Sequence, residues 1–207
     1  MAVEIELKAR LDDFEPVRER LFAVGEYDRS YIKSDTYWLP AQGGAVASIP
    51  SGVRVRRDRG IDAGGAAHES ILVTYKTKEI SDGIEVNDER EFTVSDAPVF
   101  EELLSRLGLR KTHRKEKKGW SWLVTSGASV TSGAEALEAL EAPILAELSL
   151  VAGLGWFLEI EIQAANDSGQ AVIEASRRRL LALLEKLEIP ADRIEPRPYT
   201  VMLKEAG

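Results

Sequence analysis

Glu4, Glu6 and Lys8 stand at every second position, separated by Ile5 and Leu7. The same spacing recurs in Leu158-Glu159-Ile160-Glu161-Ile162 and, with positive charge, in Val53-Arg54-Val55-Arg56. Lys76 and Lys78 alternate in Tyr75-Lys76-Thr77-Lys78, Lys115 and Lys117 precede Trp120, and Glu89 and Glu91 form one more acidic pair. A period of two belongs to a strand, so each segment puts its charges on one face. The charges are also sorted, acidic on some strands and basic on others. Carboxylates without sulfur or a nearby histidine suit a hard cation, Mg²⁺ or Mn²⁺ rather than zinc. Paired arginines and lysines suit an anion of comparable charge. A polyphosphate satisfies both sets, because it is anionic and itself binds Mg²⁺ through oxygen.

Two arrangements accommodate such strands. The charged faces can meet solvent, or they can line the inside of a barrel whose apolar outer face is covered by helices. A barrel of about eight strands has room for one small ligand. The second arrangement gives the amphipathic helices somewhere to dock, and it is the one preferred here. Its interior needs compensation: two carboxylates about 4 Å apart at an effective dielectric near 20 repel by roughly 4 kcal/mol. Protons or a cation must relieve the glutamates, and an anion the lysines and arginines.

Strand patterns are expected at residues 3–9, 35–39, 53–57, 71–78, 89–94, 115–124, 144–150 and 156–163. Leu11, Phe14, Val17, Leu21 and Val24 recur at helical spacing and end at Gly25. A second helix is expected from Asp96 and Pro98 to Gly108, and a third over about 168–187. Gly60–Ala67 and Ser126–Pro143 read as loop insertions in one domain spanning 1–207. The fold class is α+β: a mostly antiparallel sheet with helices outside it.

The 207 residues are 44% hydrophobic, enough for a core, and carry a formal net charge of −8. That charge argues against nucleic-acid and anionic-membrane partners. The absence of cysteine excludes disulfides, thiolate metal sites and cysteine nucleophiles. No signal peptide or membrane-length apolar run is visible, so a cytoplasmic location is expected. Arg57, Arg59 and the Arg177-Arg178-Arg179 run read as solvated charge. The two histidines receive no role, and the four tryptophans are expected in core or rim packing, with Trp38 and Tyr37 candidates for the barrel mouth.

Glu4-Ile5-Glu6-Leu7-Lys8 resembles the ExExK signature of the CYTH family, the triphosphate tunnel metalloenzymes. Further segments resemble that family in order along nearly the whole chain. They are Asp35-Thr36-Tyr37-Trp38, the Arg54/Arg56 strand, Thr74-Tyr75-Lys76, Arg90-Glu91, Gly153-Leu154-Gly155-Trp156-Phe157-Leu158-Glu159-Ile160-Glu161 and Arg197-Pro198-Tyr199. The details lean towards the class IV adenylyl cyclase-like branch. The resemblance implies an eight-stranded antiparallel closed β-tunnel, open at both ends, around a triphosphate. It implies metal ligation by Glu4, Glu6, Glu159 and Glu161, with Glu89 or Glu91 assisting a metal or orienting a basic side chain. Lys8, Arg54, Arg56, Lys76 and one or both of Lys115 and Lys117 would contact phosphate, and Glu4, Glu6 and Lys8 are the catalytic candidates.

The implied activity is Mg²⁺- or Mn²⁺-dependent hydrolysis of tripolyphosphate, thiamine triphosphate or ATP. Cyclisation of ATP to cyclic AMP and pyrophosphate is the alternative enzyme, and a non-catalytic polyphosphate- or nucleotide-binding module the alternative of another class. A homodimer is left open. Two departures bear on these expectations. Ser149 stands where members often carry an aspartate, with Glu147 on the same strand face as a substitute. In His113-Arg114-Lys115-Glu116-Lys117-Lys118, the register decides which side chains face inward.

Overall fold

The computed structural model describes residues 2–41, 52–81, 84–125, 142–165 and 169–206, with side chains except at 2–3, 76–81 and 84–89. In order, the elements are β1 (Ala2–Leu11), α1 (Glu15–Val24), β2 (Glu26–Pro40), β3 (Val53–Asp62), β4 (Ala67–Ser81) and β5 (Ile84–Thr93). They continue with α2 (Ala97–Arg106), β6 (Leu109–Val124), β7 (Ile144–Val151), β8 (Gly155–Ala165), α3 (Gln170–Lys186), a 3₁₀ turn at Ala191–Arg193 and α4 (Tyr199–Ala206). The eight strands form one strongly curled antiparallel sheet in the order β1-β5-β4-β3-β2-β6-β7-β8. β1 bonds to β8 from Ala2 to Leu11 and to β5 from Ala2 to Leu7.

The apolar sets of β1, β6, β7 and β8 face outward onto the helices. Ile5 and Leu7 of β1, Trp122 of β6, Leu148 of β7, and Leu158, Ile160 and Ile162 of β8 are fully buried with Leu21 of α1 and Leu180 of α3. Burying such side chains stabilises the fold by about 1.5–3 kcal/mol each. A second cluster joins Trp38, Val53, Val55 and Val73 to Ala97 and Leu104 of α2. Trp38 therefore belongs to core packing beneath α2 and not to a mouth. The Asp96 carboxylate accepts from the Val99 amide and starts α2, as its N-cap position requires.

Several strands run further than the alternation suggests. β2 begins at Glu26, nine residues before the expected Asp35, and β6 begins at Leu109. Gly60–Ala67 is the tip of a hairpin, since β3 runs to Asp62 and β4 begins at Ala67. Residues 126–141 of the other expected insertion lie outside the described residues. Helix α4 is an element the sequence pattern left unassigned. It lies over the end of the sheet where β7 stops and β8 starts, with Tyr199 and Met202 packed on Val151 and Phe157. Among the described residues, no helix is long and apolar enough to cross a membrane.

Candidate functional site

Register turns the alternating charges into rows. Across β3, β2 and β6, Arg54 is level with Tyr37 and His113, Arg56 with Asp35 and Lys115, and Asp58 with Lys33 and Lys117. Across β7, β8 and β1, Glu147 is level with Glu159 and Lys8, and Leu145 with Glu161 and Glu6. These polar faces point to the inside of the curl and border one cavity of about 550 Å³. Glu4, Glu6, Lys8, Arg54, Arg56, Glu91, Lys115, Lys117, Glu159 and Glu161 all line it. The Lys76, Lys78 and Glu89 side chains lie outside the described residues. Within 113–118, Lys115 and Lys117 are buried, His113 is half-buried against the cavity, and Arg114, Glu116 and Lys118 are exposed. Arg57 and Arg59 are exposed as well.

The interior supplies much of its own compensation, contrary to the expectation that a ligand must. Asp35, 1% exposed, accepts from Arg56 through both carboxylate oxygens at 2.7 and 3.0 Å and lies 3.0 Å from Lys115 Nζ. Burial alone would raise Asp35, but Arg56 and Lys115 outweigh it and hold the acid well below its usual range. Glu147 takes Lys33 on one oxygen and Lys117 on the other, the latter at 2.6 Å, and Lys117 also reaches Glu159. Burial opposes the charge on Glu147, yet Lys117 and Lys33 keep it well below the carboxylate norm. Glu159 likewise ends at about 2, because Lys117 and Lys115 overcome its burial. Glu161 goes the other way. Burial, Glu147 and Glu6 push it up to about 7, which marks the part of the cavity short of positive charge.

Glu91 sits at the arginine end. It accepts from Thr74 Oγ1 at 3.0 Å and lies 3.7 Å from Arg54, which itself donates to Thr74 at 2.9 Å. Of the two roles the resemblance allows, this placement matches the orienting of a basic side chain. Ser149 is fully buried opposite Gly119 and Phe157, one row away from Glu147. Gly119 is required there, since a Cβ would stand 2.0 Å from the Leu148 carbonyl oxygen. Gly153 and Gly155 adopt positive φ of 81° and 99°. Their turn joins β7 to β8 and brings Glu147 opposite Glu159.

No protein-family model matches the chain, and no curated protein matches it in sequence. Its structure is similar to that of PH1819 from Pyrococcus horikoshii OT3, with 23% identity over 98% of each chain and a TM-score of 0.70. It is also similar to a proposed adenylate cyclase from Vibrio parahaemolyticus, at 16% identity over 97% of each chain and a TM-score of 0.68. HpAC1 from Hippeastrum, a proposed adenylyl cyclase with a dominant triphosphatase activity, aligns at 12% identity over 99% of this chain and 96% of its own, with a TM-score of 0.58. The chain shares the fold of these proteins.

Within this cavity stand residues to which the sequence pattern assigned no role: Arg29, Lys33, Asp58, His113 and Tyr199, with Asp35 behind Arg56 and Lys115. Arg29 and Asp58 form a two-pronged pair at 3.0 and 2.9 Å near His68. Tyr37 stacks on His113 with ring centroids 4.5 Å apart, and both rings line the cavity. A signal for Lys33 was available. Tyr31, Lys33, Asp35 and Tyr37 alternate, and extending the strand backwards from Asp35 would have turned Lys33 inward.

Proposed function

We propose that this chain binds a triphosphate along its polar cavity and cleaves it with the help of a divalent cation, Mg²⁺ or Mn²⁺. One observation carries the reading. A single cavity is lined by Arg54 and Arg56 of β3 and Lys115 of β6, and by the carboxylates Glu4, Glu6, Glu159 and Glu161 of β1 and β8 with Lys8 among them. The bonding of β1 to both β5 and β8 supports a closed tunnel around the ligand. The fold shared with HpAC1 and the Vibrio protein supports triphosphate chemistry in such a cavity.

The donor set fits a hard cation. It offers carboxylate oxygen alone, and the pKa of Glu161 is raised by burial and then by the negative charge of Glu147 and Glu6. Among the described residues, no group of three or more acidic, histidine or cysteine side chains is gathered tightly enough to hold a metal. Mg²⁺ is commonly held by one or two carboxylates together with substrate phosphates. Glu6 and Glu161, level across β1 and β8 and flanked by Glu4 and Glu159, would hold it in that way. When bound, the cation would neutralise charge developing on the bridging phosphate oxygen.

The chain's own residues do the rest. Arg56, fixed by Asp35, presents its guanidinium in one orientation, and Arg54 is steadied by Thr74 and Glu91. Together they hold the phosphate chain extended for in-line attack, a gain in positioning. Lys8 and Lys115 add positive charge from β1 and β6. The Tyr37–His113 pair offers a flat surface for a base, which keeps cyclisation of ATP as a second reading.

Initial rates with tripolyphosphate, thiamine triphosphate and ATP, each with Mg²⁺ or Mn²⁺, test the proposal, with products resolved by chromatography. Phosphate release is expected, and it should be lost in Glu6→Gln and Glu161→Gln. Cyclic AMP as the product would select the cyclase, and tight binding without turnover the binding module. Neither binding nor turnover with any of the three would overturn the reading.

A further inference from the structure

Tyr199 opens α4 and is carried by that helix into the cavity, where it is 6% exposed. Phe157 meets its ring edge-on at 5.1 Å, and Lys8 Nζ and Lys115 Nζ lie 4.5 and 4.9 Å from the ring centroid. Lys8 also donates to the Arg197 carbonyl at 2.7 Å, which fixes the segment leading into the helix. The phenol oxygen is different: it is buried and has no hydrogen-bond partner among the described residues. A buried hydroxyl left unsatisfied costs about 1–3 kcal/mol. Phenylalanine would make the same ring contacts without that cost, so ring packing alone does not account for a tyrosine here.

We propose that the Tyr199 hydroxyl is a ligand-binding group, which donates its hydrogen bond to a phosphate oxygen lodged between Lys8 and Lys115. The inference rests on the triphosphate reading and adds to it a neutral donor supplied by the C-terminal helix. Donor chemistry selects the occupant. Two ammonium groups lie 4.5 and 4.9 Å from the centre of the ring that carries the hydroxyl, and a phosphate oxygen is an acceptor that carries no proton to conflict with them. The phenol keeps its proton, because burial and the nearby Glu159 and Glu6 disfavour the phenolate. A ligand held by both Lys8 and Tyr199 would also tie α4 to the strands beneath it.

Tyr199→Phe removes one oxygen and keeps the ring. Without ligand, the variant should melt within about 1 °C of the unaltered protein, or slightly higher, because no intramolecular bond is lost. Calorimetric titration with inorganic tripolyphosphate in EDTA should show binding weakened about tenfold or more, equivalent to ~1.4 kcal/mol. Tripolyphosphate should also slow amide exchange over 199–206 less in the variant than in the unaltered protein. Equal affinity in the two proteins would overturn the assignment while leaving the triphosphate reading intact. A fall of several degrees in the ligand-free melting temperature would overturn it too, by giving the hydroxyl a structural partner. Absence of tripolyphosphate binding by the unaltered protein would overturn both.

Discussion

Asp35 holds two cations at once, and its replacement separates architecture from ligand binding. In Asp35→Asn, Arg56 and Lys115 stay buried without their counter-charge. Breaking a buried pair in this way costs about 3–5 kcal/mol, and urea denaturation should show a loss of that size. The pH dependence follows from the sign of the shift. The folded-state pKa of Asp35 lies below its unfolded value, so its contribution is present above the unfolded pKa of 3.8 and disappears as pH falls through the folded one. The variant should therefore lose most stability near neutrality and differ less from the unaltered protein in strong acid. Arg54 contrasts with this. It borders the cavity beside the half-exposed Glu91, so Arg54→Ala should weaken tripolyphosphate binding about tenfold or more and lower the melting temperature by about 2 °C or less. A melting temperature that fell as far as in Asp35→Asn would show Arg54 to be part of the same buried ion-pair lattice.

Strands are where the sequence was read well and where it was read short. β1, β7 and β8 have unbroken apolar alternation on the face that meets the helices, and their expected limits lie within two residues of those found. β2 was truncated because its outer face is poorly apolar. Ser30, Ser34 and Thr36 stand there with a 40% exposed Ile32, so hydrophobic periodicity is silent over most of its length. The inner face carried the information instead, as charge alternation, and Lys33 was lost with the missing half of the strand. Glu147 and Ser149 show another limit. Their rows follow from pairing across three strands, and no local pattern fixes that register. Helix α4 is two turns long, too short for periodicity to establish, so Tyr199 was named in a C-terminal segment without a place in the cavity. A test of the register belongs at this scale. Gly119→Ala puts a methyl against the Leu148 carbonyl and should force β6 and β7 apart, costing about 3 kcal/mol in denaturant titration. An alanine variant of undiminished stability would mean that the two strands do not approach as closely as the structure places them.

For the molecule as a whole, folding, proton uptake and cation binding meet in the same cavity. Its wall is inside out relative to an ordinary two-layer sheet, with apolar side chains outward under α1, α2 and α3 and the charges enclosed. Most of these charges balance locally, through Asp35 with Arg56 and Lys115 and through Glu147 and Glu159 with Lys33 and Lys117. Glu161 keeps an excess, with a pKa of about 7 against an unfolded value of 4.5. An acid whose folded pKa is raised binds more protons when folded, so stability declines as pH rises from about 4.5 through 7 and then levels off. The slope from one such group is at most ~1.4 kcal/mol per pH unit. Thermal melts of the metal-free protein between pH 5 and 8 should show this decline, and Glu161→Gln should flatten it. Mg²⁺ with tripolyphosphate should remove it as well, because a divalent charge beside Glu161 favours the ionised carboxylate. The same linkage predicts that binding at pH 6 releases a proton, measurable by calorimetry in buffers of different ionisation enthalpy, and that binding at pH 8.5 releases none from this group. Release that is equal at both pH values, or unchanged in Glu161→Gln, would separate Glu161 from the cation and transfer the role to the other carboxylates of the cavity.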